Sequence, residues 1–246
     1  MFREWIGDFK EKNTSLIISY LSLRQLIGWL GMLLPLICVG GGFLFSKLPL
    51  QPSISAYYHT NMRDFFVGLM ICVSFFLVTY KGYERIDKRI TTLIGIAGFG
   101  IAVFPCLDSG TSTRAVGIFQ LSSSLSDKIH IGCALIFFIL LAINSIFLFT
   151  LGQDPKKNSI YRICGIVILS SIILLAIGVV AINDEVVKKM KIVLALETVM
   201  LWAFGISWLV KGKTLENLAE LSVLLKEKTQ QYLSEIKRLV KKESVK

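Results

Sequence analysis

Histidine is scarce in this sequence: 246 residues hold two, His59 and His130. A zinc site built on three histidines therefore cannot be assembled from the chain. The five cysteines, Cys38, Cys72, Cys106, Cys133 and Cys164, are odd in number, form no CxxC pair and sit in or beside apolar runs. Neither a disulfide framework nor a zinc ribbon is indicated, and the thiols read as small apolar fillers. No glycine-rich phosphate loop, low-complexity tract, clear repeat or soluble catalytic domain is visible. No short apolar stretch near the start ends in a small-residue cleavage site, so the first apolar run is expected to stay as an anchor. The apolar residues do not alternate, which excludes the strand pattern of a membrane barrel.

Apolar residues are abundant instead. They make up 54% of the chain, with a mean hydropathy of +0.65, against about 45–50% in soluble domains. They gather in runs of roughly 17–24 residues, the length a helix needs to cross a bilayer. Backbone groups in lipid must be satisfied within the segment, so each run is expected to be a helix. The spans fall near 25–45, 64–80, 90–105, 129–151, 163–182 and 192–210. The expectation is an all-α polytopic bundle of six transmembrane helices, residues 24–211, with Pro35 kinking the first.

The net charge of +10 would suggest nucleic acid in a soluble protein. Here the positive-inside bias accounts for it, and no nucleic-acid partner is expected. With the N-terminus inside, twenty of the 27 Lys and Arg fall on the inner side and seven on the outer. Both termini are therefore expected in the cytoplasm, with the chain in a bacterial inner membrane.

Two segments flank the bundle. In residues 1–23, Phe2, Trp5, Ile6 and Phe9 form one face of an amphipathic helix, suited to the membrane interface or to packing on the bundle. Residues 212–246 read as a basic cytoplasmic helix. Leu218, Leu225, Tyr232, Ile236 and Leu239 follow a heptad seam broken by Ser222 and Thr229. That face fits anionic lipid headgroups or a homo-oligomer.

Polar groups inside a membrane are costly, which makes them pointers to function. Asp64, His130 and Glu197 each lie near the outer start of a span, at similar depth, and are the catalytic candidates. The loop SISAYYHTNMRD, residues 53–64, offers Ser53, Ser55, Tyr57, Tyr58, His59 and Arg63 as ligand-binding candidates. Asp108, Asn183, Asp184 and Glu185 would join them from other outer loops. His59, His130, Asp64 and Glu197 are competent zinc ligands, but no pair has a local metal-binding spacing, so no cofactor is expected. The plainer readings are ion pairing of Asp64 with Arg63, a bond from His130 to Asp127 or a tyrosine, and a bond from Glu197 to a side chain on a neighbouring helix. Ser55 and His59, four apart, would meet only if their loop were helical.

The stretches QPSISAYYHTNMRDFFVG, FFLVTYKGYERID, IAVFP, DKIHIGCALIFFILLAINSIFLF and LETVMLWAFGISWLVKG resemble uncharacterised bacterial multi-pass proteins similar in layout to DUF998. More distantly, Pro52 to Ser55 resembles the P-x-I-S pattern of the Frag1/DRAM/Sfk1 six-helix group, which is associated with membrane trafficking and lipid-anchor remodelling. The resemblance implies six helices and an outward polar layer, and supplies no reaction. The CREST membrane hydrolases are a further comparison, through Ser55 and His59, with Asp64 and His130 standing for other parts. Their zinc site takes three histidines and their fold seven helices.

The sequence thus supports a membrane protein with a polar outer-leaflet pocket for a small molecule or lipid. The alternatives are an intramembrane hydrolase or lipid-modifying enzyme, and an oligomeric effector or pore assembled by the tail.

Overall fold

The computed structural model describes residues 2–82, 85–107, 115–151, 155–181, 186–187 and 190–213, with side-chain surroundings from residue 21 onward except 179–181. The faces expected of residues 2–9, the tail helix and the candidates Asp108, Asn183, Asp184 and Glu185 lie outside what is described.

The described chain is mostly helical. Its long helices are α1 (Phe2–Ser46), α2 (Arg63–Thr79), α3 (Arg85–Val103), α4 (Ser123–Ile143), α5 (Pro155–Ala181) and α6 (Ile192–Lys211). Among the described residues, four stretches are long and apolar enough to cross a membrane: Leu21–Ser46, Ser123–Leu148, Pro155–Gly178 and Ile192–Lys211. The α2 helix has 17 residues and α3 opens on Arg85, Asp87, Lys88 and Arg89, so both offer shorter apolar stretches.

Helix ends depart from the apolar runs where polar turns prolong a helix. The α4 helix starts at Ser123 rather than near 129, because Ser122 caps it by accepting from the Leu125 N–H at 3.4 Å. The α5 helix starts at Pro155, a residue whose missing N–H suits a first turn. Pro35 lies inside an unbroken α1. A π-helical turn, Asn144–Leu148, prolongs α4. A hairpin of two-residue strands, Ala115–Val116 with Leu121–Ser122, precedes it, and Gly117 makes its turn with a φ of +69°.

Each helix packs on its neighbours in sequence, and α6 returns to pack on α1, so the helices form a closed ring. Lipid cannot drive such association, so close fit must. It is close where α1 crosses α6. A Cβ on Gly205 would stand 2.7 Å from the Gly28 carbonyl and strike Met32, and one on Gly28 would stand 2.8 Å from the Gly205 carbonyl. Phe66, Phe137, Phe204 and Trp208 fill the interior. Large apolar residues such as Leu93, Ile136, Ile166 and Ile173 face outward, as a lipid-facing surface requires.

The ring's two ends differ. At one end Lys211, 5% exposed, and Arg24, 3% exposed, lie inside. The Lys211 ammonium donates to the Phe149 carbonyl at 3.2 Å and sits 5.1 Å from the Phe149 ring and 5.7 Å from that of Tyr161. The Arg24 guanidinium donates to the Lys211 carbonyl at 3.4 Å and lies 5.5 Å from the Tyr80 ring. Trp208 meets Tyr80 and Phe149 edge-on, with centroids 5.0 and 5.2 Å away. The other end carries the residues singled out as site candidates.

Candidate polar site at the Ser55 end

The loop before α2 is folded by its own hydrogen bonds. Ser53 Oγ accepts from the Ala56 N–H at 3.0 Å, and the Tyr57 N–H donates to the Ile54 carbonyl at 3.1 Å. This winds Ser55–His59 into a 3₁₀ turn. Thr60 Oγ1 closes it by donating to the Tyr57 carbonyl at 2.8 Å. Tyr57 and Tyr58 point inward. Burial pushes the Tyr57 phenol above its usual pKa, so the hydroxyl keeps its proton at ordinary pH.

The α6 helix pins this loop. The Leu194 N–H donates to the Pro52 carbonyl at 3.1 Å, and the Glu197 carboxylate accepts from the Ile54 N–H at 2.5 Å. The Ser55 N–H is directed at the same carboxylate. The α4 helix holds a second segment. Ser126 and His130, one turn apart on one face, donate to successive carbonyls: Ser126 Oγ to Pro105 at 2.8 Å and His130 Nδ1 to Phe104 at 2.7 Å. Asp127 accepts from the Leu107 N–H at 2.8 Å.

A side-chain hydrogen bond joins the loop to α4: Ser55 Oγ lies 3.0 Å from His130 Nε2. The Phe104 carbonyl can only accept, so Nδ1 carries the proton. In the neutral ring Nε2 is then a lone-pair acceptor and Ser55 donates to it. His130 is 4% exposed.

Beside Ser55 lies a cavity of about 30 Å³, walled by Leu34, Met70, Ile101, Phe137 and Leu201, with Ser55 and Glu197 as its polar members. It exceeds the roughly 10–15 Å³ that one water needs. A hydroxyl and a carboxylate thus face a small, otherwise apolar space in the ring.

The other candidates part from this layer. Asp64 is exposed on the first turn of α2 and lines no part of the cavity. Arg63 donates to the Tyr58 hydroxyl at 3.0 Å, with its guanidinium 4.7 Å from the Tyr58 ring. A His59 ring nitrogen lies 2.8 Å from the Cys106 carbonyl, so the two residues spaced four apart, Ser55 and His59, take separate partners. Ser53 acts on its own loop. Sequence reasoning passed over Ser126 and the Phe104–Leu107 segment, whose carbonyls and N–H group do most of the bonding to α4. The one available signal was the spacing of Ser126, Asp127 and His130 on a single helix. Among the described residues no three His, Cys, Asp or Glu side chains gather in a way that could hold a metal ion.

The backbone around Ser55 limits the chemistry. A serine that attacks a carbonyl needs donors aimed at the oxyanion that forms. The Ile54 and Ser55 N–H groups already face Glu197, that of Ala56 is bonded to Ser53, and that of Tyr57 to Ile54. The layer can orient a hydroxyl, and the cavity beside it has room for about one or two waters.

No protein-family model, curated protein or solved structure matches the chain.

Proposed function

We propose that the chain is a six-span protein of a bacterial inner membrane, with both termini in the cytoplasm, that binds the polar head of a small molecule or lipid on its outer side. The observation that carries this reading is the convergence of Ser55, His130 and Glu197, from a loop and two helices, beside a cavity in the ring. Buried polar groups of this kind are costly in a membrane and are associated with ligand or ion sites. The excess of Lys and Arg on the side opposite the Ser55 layer supports the orientation. The resemblance to DUF998 proteins in the sequence would be in keeping with six spans.

The test is mass spectrometry of molecules retained by protein purified in mild detergent. One small molecule or lipid is expected at near one equivalent in wild type, and below a tenth of that in Glu197→Gln and His130→Ala. Equal retention in all three would refute the reading. Orientation is checked in a chain lacking Cys72 and Cys106, with Ser55→Cys labelled by an impermeant thiol reagent. Labelling from outside is expected; labelling from the cytoplasmic side alone would invert the topology.

A second reading is an intramembrane hydrolase with Ser55 as nucleophile and His130 as its base. The 3.0 Å contact from Oγ to the lone-pair nitrogen favours it. The occupied N–H groups favour binding instead. Covalent labelling of Ser55 by a fluorophosphonate, lost in His130→Ala, would reverse that preference.

A further inference from the structure

On the outer face of the α1–α6 pair, turned away from the polar layer, lies a groove of about 630 Å³. It lies further along the pair from the close contact of Gly28 with Gly205. A Cβ on Gly40, three turns further along α1, would meet nothing within 4 Å. Pro35, Leu36 and Val39 line one wall, and Ala195, Val199 and Trp202 the other. The volume lies within the range of about 300–1,000 Å³ typical of ligand sites.

The polar groups of these walls are already satisfied. Thr198 Oγ1 donates to the Leu194 carbonyl at 2.7 Å, and Trp202 Nε1 donates to the Met32 carbonyl at 3.3 Å. What remains along the groove is hydrocarbon and the Trp202 ring. At the Ser55-end rim the cation among the described lining residues is Lys191. Its left-handed backbone, φ 54°, turns the chain into α6. The groove runs between two helices that are each apolar enough to cross a membrane, so its depth is that of lipid chains and its rim that of headgroups.

We infer that this groove binds one acyl chain of an anionic phospholipid whose phosphate lies at Lys191. An extended peptide would bring backbone groups that these walls cannot satisfy. A cation near a headgroup favours negative charge, by about fivefold in affinity for a single lysine. The inference does not rest on the reading of the polar layer.

Trp202 reports on the groove directly. The full chain is placed in nanodiscs of phosphatidylcholine doped with phosphatidylglycerol, or with more phosphatidylcholine, brominated on one acyl chain. The emission attributed to Trp202 is the part lost in Trp202→Phe, which separates it from Trp5, Trp29 and Trp208. Half-quenching is expected at about fivefold less brominated phosphatidylglycerol than phosphatidylcholine. Lys191→Gln should erase that preference, and Gly40→Phe, which fills open space, should remove quenching by both lipids. Equal quenching by the two lipids in wild type would overturn the proposal. So would an unquenched Trp202 in a chain that runs as a dimer, since the groove would then hold a second copy.

Discussion

The two ends of the ring solve one problem differently. Both bury polar side chains, and both satisfy them largely with backbone groups. At the Lys211 end the partners are helix-terminal carbonyls and aromatic faces, with Lys211 and Arg24 held against Phe149, Tyr161 and Tyr80. At the Ser55 end the partners belong to loops, and Glu197 and Ser55 border a cavity. Packing of charge against aromatic rings suits a structural clamp. A polar group beside open space suits a site. Burial alone does not tell the two apart; what lies on the unbonded side of each group does.

Substitutions at the two ends should therefore separate stability from binding. The largest effect belongs to Trp208→Ala. Trp208 is fully buried between Tyr80, Phe149 and Phe204, and its loss should cost about 4 kcal/mol. Thermal unfolding in detergent should fall accordingly, while folded protein below the transition keeps its bound molecule. Loss of the molecule from folded protein would break the division between the ends. Glu197→Ala comes next, since it strands the Ile54 N–H, at a cost of about 2 kcal/mol. Protease cleavage within residues 53–60 should accelerate together with loss of the bound molecule; an unchanged cleavage rate would mean that Glu197 does not hold the loop. Ser55→Ala removes one bond between segments and should cost about 0.6 kcal/mol, readable as a small fall in melting temperature. Asp64→Asn, at an exposed position, should change stability by less than about 0.5 kcal/mol and leave binding unaltered. A clear loss of the bound molecule there would place Asp64 back in the site.

The apolar runs made the helices legible, because helical hydrogen bonding is the main way a single segment can satisfy its backbone in lipid. They did not mark where helices begin, since capping turns such as Ser122–Ser126 are polar. Glu197 and His130 were legible as costly groups in apolar helices. Their partners were not. Ser55 takes His130, 75 residues away, over His59 on its own turn. Asp64 illustrates a matter of phase. Phe66, Met70, Val73 and Leu77 define the buried face of α2, and Asp64 precedes Phe66 by two positions, about 200° around the helix. Arg24 and Lys211 stand at the two bounds of the 24–211 bundle in the sequence, and only the packing reveals them as interior. The hairpin at Ala115–Ser122 is too short for any periodicity to show.

The account's central claim is that Ser55 and His130 form one hydrogen-bonded unit of stated polarity. Nitrogen-15 spectra of the imidazoles, taken near pH 8 on the full chain in nanodiscs, test it most directly. Two rings contribute, and His59→Gln assigns the one that remains. The expected result is a neutral His130 protonated on Nδ1, with an Nε2 resonance that moves when Ser55→Ala removes its donor. A ring protonated on Nε2, or an Nε2 resonance indifferent to Ser55→Ala, would contradict the account.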